Sequence, residues 1–226
     1  MKIISWNVLF RAYEETYCPD SEILKKFPNE QKRVEKTVSF LKSYSDSQTI
    51  ICLQEVSTSV VNELNRVYHE THSIFTHTIS DNFVSSLNRG ETCEDEHLVT
   101  LAPKDYVYEK GYAHPTSNGY LIVRNDRIRM VNCHLCPQKY TKDSILPYLL
   151  SEFGNPDTFI AGDFNEEHSV VDTNLNKVFK CPFYGETYKN EIIDQIIFSN
   201  KEYKYETNVI DSNNLSDHRM IILCIL

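Results

Sequence analysis

Two short apolar runs in this sequence each end abruptly in acidic and amide side chains. Residues 49–53 (TIICL) are followed within two positions by Glu55, and residues 158–161 (TFIA) lead directly into a segment that contains Asp163 and Asn165. A continuous apolar run of this length is typical of a strand covered on both faces, which requires layers of structure on either side of its sheet. The pattern therefore predicts an α/β fold whose buried strands present polar residues at their ends.

Helical and strand patterns follow one another along the whole chain. Apolar spacing predicts helices over 30–42, 58–68 and 140–153, the last interrupted by Pro147. Strands are predicted at 2–6, 49–53, 73–79, 96–101, 120–124, 128–135, 158–161, 191–198, 203–210 and 219–225. Because no linker or low-complexity tract divides the 226 residues, one domain over 1–226 is expected.

Charge and composition disfavour several classes of protein. The net charge of −9 argues against a protein that coats duplex nucleic acid through a basic face. No apolar run approaches the roughly 20 residues that cross a bilayer, so no membrane contact is expected. The odd count of seven cysteines and the polar start of the chain favour a cytoplasmic or nuclear protein that is not secreted. A zinc site at Cys133 and Cys136 is disfavoured, since no second pair of ligands accompanies them.

Five predicted strands carry, or end at, a side chain that can bind metal or move a proton. These side chains are Asn7, Glu55, His134, Asp163 with Asn165, and Asp217 with His218. Each is by itself an ordinary turn former, strand cap or core residue. Strand ends in an α/β sandwich meet at one edge, where ligands bind, so the set as a whole predicts a single site.

The oxygen donors in this set suit a hard divalent cation. Mg²⁺ takes one or two carboxylates and keeps several waters, whereas a transition metal would favour clustered histidines or cysteines. Glu55 and Asn7 are the predicted ligands, and Asp217 adds to them. Mg²⁺, or Mn²⁺ in its place, is therefore the expected cofactor.

The remaining residues suit the hydrolysis of a phosphodiester, which needs an activated water and stabilisation of the charge on phosphoryl oxygens. Asp163 is assigned as the general base, with Asn165 holding a phosphate oxygen or orienting Asp163. His218 and His134 are assigned to stabilise the transition state as cations.

Six segments occur in an order that resembles the signature blocks of the endonuclease/exonuclease/phosphatase superfamily. They are Ser5-Trp6-Asn7-Val8, Leu53-Gln54-Glu55-Val56, Asn132-Cys133-His134-Leu135, Gly162-Asp163-Phe164-Asn165, Ile193-Asp194-Gln195-Ile196 and Ser216-Asp217-His218. The resemblance implies a four-layer α/β sandwich, with two central and mostly antiparallel sheets flanked by helices. It also implies dependence on Mg²⁺ or Mn²⁺ and a pairing of Asp194 with His218, which adds Asp194 to the catalytic residues.

The opening of the chain is similar to the deadenylase, nocturnin and Angel-like branch of that superfamily. The matching residues are Asn7-Val8-Leu9, Tyr13, Tyr17-Cys18-Pro19, Arg33 and Leu53-Gln54-Glu55-Val56. This similarity favours a monomeric phosphodiesterase that binds single-stranded RNA and removes nucleotides from its 3′ end. Three residues near predicted strand ends, His97, Asn118 and Arg124, are the predicted substrate contacts.

The residues leave other hypotheses open. The same site suits a DNA-end or tyrosyl-DNA phosphodiesterase, or a 2′,3′-cyclic phosphatase. A lipid phosphodiesterase of the same superfamily would need an exposed apolar lip beside the site, and the sequence offers no clear apolar loop for one. A non-enzymatic binding module is disfavoured, because such a protein would have lost metal-binding or base residues that this chain retains.

Overall fold

A computed structural model of the chain describes residues 1–10, 22–80, 95–114, 118–135, 149, 157–175, 179–199 and 202–226. The predicted helix over 140–153 lies outside these residues except for Leu149, which is buried. Four residues of the opening motif also lie outside them: Tyr13, Tyr17, Cys18 and Pro19.

The described strands form two six-stranded sheets. In chain order they are β1 (Lys2–Asn7), β2 (Thr49–Ser57), β3 (Ser73–Ser80), β4 (Glu96–Ala102), β5 (Val107–His114), β6 (Asn118–Arg124), β7 (Arg129–His134), β8 (Thr158–Asp163), β9 (Phe179–Lys180), β10 (Asp194–Ser199), β11 (Tyr205–Ile210) and β12 (Met220–Ile225). Sheet A has the order β11-β12-β1-β2-β4-β3, and sheet B has the order β5-β6-β7-β8-β10-β9. One pair in each sheet is parallel, β1 with β2 and β7 with β8, and the other neighbours are antiparallel.

Four helices are described: α1 (Glu22–Lys26), α2 (Glu30–Tyr44), α3 (Thr58–Tyr68) and α4 (His168–Asn174). The side chain of Asn29 caps the start of α2 by accepting a hydrogen bond from a backbone N–H of its first turn, and Ser57 caps α3 in the same way. No described helix combines the length and the apolar character needed to cross a membrane.

Apolar side chains pack in three layers around the two sheets. In β2, Ile50 belongs to the cluster between the sheets, whereas its neighbour Ile51 packs with α2 and α3 on the outer face of sheet A. A third cluster covers the outer face of sheet B and includes Val171 of α4 and Leu149. Successive residues of a strand point to opposite faces, so a strand buried on both faces is apolar throughout. The predicted α/β sandwich is thereby confirmed.

Several element boundaries differ from the sequence-based expectation. The strand predicted over 191–198 begins only at Asp194, because Glu191 forms a tight turn with Tyr188 in which its N–H donates to the Tyr188 carbonyl at 2.7 Å. The sequence pattern predicts neither strands β5 and β9 nor helices α1 and α4. β5 is an edge strand with Tyr108 and Tyr112 exposed, so its sequence lacks the apolar run that marks the central strands.

Candidate active site

The two parallel strand pairs end at the same edge of the sandwich. In sheet A, Asn7 lies beside Gln54 in the register of β1 and β2. In sheet B, His134 lies beside Asp163, and Asp163 also faces Asp194 across the antiparallel pair β8–β10. The side chain of Asn7 donates a hydrogen bond to Asp163, and this contact joins the ends of the two sheets.

The buried side chain of Asn7 lies at the centre of this edge. Its Nδ2 donates to Oε1 of Glu55 at 2.9 Å and to Oδ2 of Asp163 at 3.1 Å. Its Oδ1 accepts a hydrogen bond from the N–H of Leu9 at 3.0 Å, which fixes the orientation of the amide. The backbone takes one of the two lone pairs of this oxygen, so the role of Asn7 as a metal ligand stays a prediction. The amide nitrogen holds two carboxylates in position.

Glu55 reaches the site through an irregularity in β2. Its φ of 51° lies in the left-handed region, and the pairing of β2 with β4 shifts register between Leu53 and Val56. A non-glycine residue in this conformation costs about 1–2 kcal/mol, so surrounding contacts must hold it there. Bulges of this kind redirect a side chain, and here the carboxylate is directed to Asn7.

Asp163 is held from two sides at the end of β8. Its Oδ1 accepts a hydrogen bond from the N–H of Asn165 at 2.8 Å, and its Oδ2 accepts the bond from Asn7. Asn165 has a φ of 47°, and its Nδ2 donates to the Leu135 carbonyl at 2.8 Å. A side chain at Gly162 would collide with the carbonyl of Cys133, so glycine is required where β7 and β8 approach each other below the site.

His218 and Asp194 form the pair that the family resemblance implies. Nδ1 of His218 lies 2.8 Å from Oδ2 of Asp194, and both side chains are buried. Nε2 of His218 faces Oδ2 of Asp163 at 3.8 Å. Burial alone would lower the pKa of His218, but the carboxylates of Asp194, Asp163 and Asp217 raise it well above its usual range. The imidazole is therefore held as a cation.

A second histidine, which is partly buried, faces the same carboxylates from sheet B. Nε2 of His134 lies 3.8 Å from Oδ2 of Asp163 and 3.9 Å from Oε1 of Glu55. Its Nδ1 lies 3.7 Å from Oε1 of Glu96. Burial opposes protonation, but Glu96, Asp163 and Glu55 together raise the pKa of His134 to about 9.

Sequence reasoning missed Glu96, which is only 3% exposed at the start of β4. The prediction named the adjacent His97 as a substrate contact instead. Consecutive residues of a strand point to opposite faces, and the ring of His97 lies between the hydroxyls of Thr58 and Thr78, at 3.2 and 3.1 Å. His97 is therefore buried on the other face of β4, and Glu96 is the residue that reaches the site.

The other predicted substrate contacts are placed differently from one another. Gly119 pairs with His134, whereas Arg124 pairs with Arg129 at the other end of the same two strands. Five residues of strand span about 17 Å, so Arg124 lies far from the site, where its Nε contacts Oε2 of Glu109 at 3.2 Å. The backbone of Asn118 begins β6 at the site end, and its side chain lies outside the described residues.

Asp217 lies beside His218 at the open side of the site. The residue is exposed, and Ser216, next to it, donates from Oγ to the carbonyl of Asn7 at 2.7 Å. Desolvation of the carboxyl and the charges of Glu55 and Asp163 raise the pKa of Asp217, against the opposing effect of His218. The structure thus brings Asp217 within electrostatic range of the predicted metal ligand Glu55.

Arg33 of α2 ties together the backbone segments that follow Asn7 and precede Ser216. Its Nη1 donates to the carbonyls of Val8 and Leu215, both at 2.8 Å, and its Nη2 donates to the carbonyl of Leu9 at 3.2 Å. Arg33 is 1% exposed. A buried guanidinium that donates to three carbonyls fixes loops that would otherwise leave polar groups without partners.

Replacing Arg33 with methionine is expected to lower the free energy of unfolding by about 3 kcal/mol, because three buried carbonyls lose their donor. Chemical denaturation followed by circular dichroism measures this value. Lys32→Met is the control, since Lys32 is exposed on the same helix. Equal stability of the two variants would contradict the structural role of Arg33.

The site carries more acid than base among its described residues. Five carboxylates, from Glu55, Glu96, Asp163, Asp194 and Asp217, surround two histidines. Burial, partly opposed by the histidines, raises the pKa values of Glu55 and Asp163. Two sets of three ligand atoms, in Glu55–His134–Asp163 and in Asp163–Asp194–His218, lie within 4.8 Å of one another. A site of this kind, with many carboxylate oxygens, fits a hard divalent cation.

Solved structures share this fold, although no family model and no curated protein matches the sequence. TDP2 from D. rerio in complex with a single-strand DNA product gives a TM-score of 0.67 at 15% identity, over 99% of this chain and 97% of that chain. The human Nocturnin catalytic domain with a bound sulfate anion gives a TM-score of 0.67 at 14% identity, over 100% of this chain and 93% of that chain. ANGEL2, a 2′,3′-cyclic phosphatase, gives a TM-score of 0.66 at 13% identity, over 98% of this chain and 93% of that chain.

These neighbours are members of the endonuclease/exonuclease/phosphatase superfamily. The chain therefore has the fold of that superfamily, as the order of its six sequence blocks implies. The match extends over almost the whole of this chain and of each neighbour, so the fold similarity includes the edge at which the polar residues meet.

Proposed function

We propose that this chain is a divalent-metal-dependent phosphodiesterase acting on single-stranded nucleic acid, with the 3′ end of RNA as its main substrate. The observation that carries the proposal is the bridge from Asn7 to the carboxylates of Glu55 and Asp163, from opposite sheets. Two cationic histidines face Asp163, the buried His218 and the partly buried His134, each at 3.8 Å. Anion-stabilising cations beside an oriented carboxylate base are what phosphodiester hydrolysis requires.

Glu55 would hold the cation, with Asp217 at the open side of the site as the second acidic ligand. When bound, Mg²⁺ or Mn²⁺ would neutralise charge on the phosphoryl oxygens and on the leaving group. Neighbouring carboxylates whose pKa values are raised by desolvation and by each other's charge are the groups that gain most from a bound cation.

Asp163 would take the proton from the attacking water. Its two oxygens are fixed by Asn165 and Asn7, so the carboxylate does not need to reorganise as the reaction proceeds. Nε2 of His218 and Nε2 of His134 face the same oxygen at a distance too long for a direct hydrogen bond. No atom fits on the line between an imidazole and Asp163 at this distance, so a phosphate or water oxygen would contact these groups from the side.

The choice of substrate rests on similarity to known proteins. The stacked rings of Tyr112 and Tyr120 do not contribute to it, because they project from the outer face of sheet B, opposite to His134. The similarity of the opening motif to the deadenylase and nocturnin branch supports RNA over DNA. The TDP2 neighbour, with its single-strand DNA product, supports a DNA end as the second candidate.

A substrate panel in Mg²⁺ tests this function. It comprises oligoadenylate RNA, RNA ending in a 2′,3′-cyclic phosphate, single- and double-stranded DNA, 5′-tyrosyl DNA and a phosphoinositide. We expect the highest kcat/KM on single-stranded RNA, with products released stepwise from the 3′ end. Faster turnover of tyrosyl DNA or cyclic phosphate would replace the RNA assignment, and no turnover of any member would contradict the phosphodiesterase.

Removal of divalent cations is expected to abolish hydrolysis, with recovery on addition of Mg²⁺ or Mn²⁺. Glu55→Gln should raise the Mg²⁺ concentration for half-maximal rate at least about tenfold, because a metal carboxylate ligand is lost. A Mg²⁺ titration of the rate measures this, and the Mg²⁺-dependent rise in melting temperature measures binding without turnover. Glu206→Gln, in exposed β11, is the matched control. Full activity in EDTA would contradict the metal assignment.

A further inference from the structure

A short turn between β9 and β10 is fastened to both members of the His218–Asp194 pair. The hydroxyl of Thr187 accepts hydrogen bonds from the N–H groups of Ile193 and Asp194, at 3.1 and 3.0 Å. The N–H of Arg219 donates to the carbonyl of Thr187 at 2.7 Å, and Tyr188 forms a β-bridge with His218. The turn is therefore positioned by the site itself.

The tip of this turn places an ammonium group beside the site. The ring of Tyr188 packs on the imidazole of His218 at 4.6 Å, and Nζ of Lys189 lies 4.5 Å from the centre of the Tyr188 ring. Nζ is therefore no more than about 9 Å from the imidazole of His218. Lys189 is exposed and has a φ of 47°, a conformation that costs a non-glycine residue about 1–2 kcal/mol.

Lys189 places a positive charge at an edge that is rich in carboxylates, and the charges of Asp217 and Glu191 act on it. Its hydrogen bond and electrostatic interaction with Tyr188 raise the pKa of its ammonium group, so the group stays protonated. The neighbouring Arg219 is occupied differently: its Nη1 donates to the Glu186 carbonyl at 3.0 Å and lies 3.7 Å from the Glu186 carboxylate. A polyanionic substrate that approaches five carboxylates needs a cation at the entrance.

We propose that Lys189, held over Tyr188, binds a phosphate of the substrate next to the one that is cleaved. The inference rests on the proposed function and narrows it: the enzyme recognises a phosphate-containing chain, and a lone diester lacks one of its contacts. The ligand class is a nucleic-acid strand with at least one further phosphate beside the scissile bond. Lysine binds phosphate as a point charge and reads no base, so this contact adds affinity without sequence preference.

The kinetic test compares two substrates that differ in the neighbouring phosphate. Oligoadenylate RNA has a phosphate next to the scissile one, and bis(p-nitrophenyl) phosphate has no second phosphate. The ratio of kcat/KM for the first to that for the second is expected to fall about three- to fivefold in Lys189→Met and Lys189→Gln, the range for an exposed charge contact. Lys189→Arg should restore most of the ratio. Lys204→Met is the matched control, since Lys204 is exposed beside the end of β12 remote from His218. An unchanged ratio in both neutral variants, or an equal fall in the control, overturns the proposal.

A binding test separates this proposal from the catalytic one. Anisotropy of fluorescent oligoadenylate in EDTA reports the contact without turnover. The logarithm of the association constant falls as the logarithm of the salt concentration rises. In Lys189→Met this slope should be less negative than in the wild type by about 0.7, the value for one phosphate contact on a single strand. One outcome is that the slopes differ as expected while the wild-type protein hydrolyses neither substrate. That result would contradict the phosphodiesterase activity and support the phosphate contact. If the slopes of wild type and variant coincide, the contact is refuted whatever the hydrolysis shows.

Discussion

Replacing Asp163 with asparagine is expected to lower kcat/KM by about 10³–10⁴-fold without lowering the melting temperature. Asparagine keeps the size and the hydrogen bond from the N–H of Asn165, but it cannot accept the proton of the attacking water. It also loses the hydrogen bond from Asn7, and the gain from removing a buried charge offsets that loss. General-base catalysis by a positioned carboxylate contributes about 10²–10⁴-fold, and this carboxylate is also the group that both histidines face. The upper part of that range is therefore expected.

The stability of the same variant follows from the direction of the pKa shift. Burial and the neighbouring Asp194 raise the pKa of Asp163 in the folded protein. For an acid with a raised pKa, the folded state binds the proton more tightly than the unfolded state, so ionisation near neutral pH destabilises the fold. Asparagine removes that cost. Functional residues often trade stability for activity in this way.

Thermal unfolding and kinetics on the same preparations measure both effects. Asp126→Asn is the control, because Asp126 is exposed in the turn between β6 and β7, at the end of sheet B remote from the site. It should change neither quantity. Asp163→Asn with near-wild-type turnover would remove the proposed base, and a large fall in its melting temperature would show that the carboxylate stabilises the fold.

The strand ends could be predicted from the sequence because burial on both faces leaves a clear pattern. Ile50 and Ile51 pack on opposite faces of sheet A, so the apolar run in which they lie continues up to the irregularity in β2 that presents Glu55 to the site. The same holds for the run before Asp163. Both residues therefore lie at the same edge, as the alternation of apolar and polar segments predicts.

The substrate contacts could not be predicted in the same way. Proximity to a strand end does not say which end lies at the site. The short connection between β6 and β7 requires an antiparallel hairpin, so Arg124 lies at the end remote from His134. Strand alternation also decides between neighbours, and it directs Glu96 to the site and His97 away from it. The two hydrogen bonds that Asn7 donates, to Glu55 and Asp163, are likewise set by tertiary contact, since only the folded chain brings the two sheets together.

Removing the imidazole of His218 is expected to lower kcat/KM by about 10²–10³-fold, the usual effect of losing one preorganised group that stabilises transition-state charge. Asp194→Asn should have a comparable effect, although Asp194 lies behind the imidazole. Its Oδ2 accepts from Nδ1 of His218 at 2.8 Å, and its charge raises the pKa of that histidine. Without the carboxylate, the imidazole loses both its orientation and its positive charge.

A double-mutant cycle distinguishes this pair from two independent residues. If Asp194 acts only through His218, the variant that carries both His218→Ala and Asp194→Asn will be no slower than His218→Ala alone. Two independent contributions would instead multiply. His69→Ala is the control, because His69 is exposed after α3 and should retain wild-type kinetics. A multiplicative loss in the double variant would mean that Asp194 serves the reaction by another route, for which its second oxygen, buried without a hydrogen-bond partner among the described residues, is the available group.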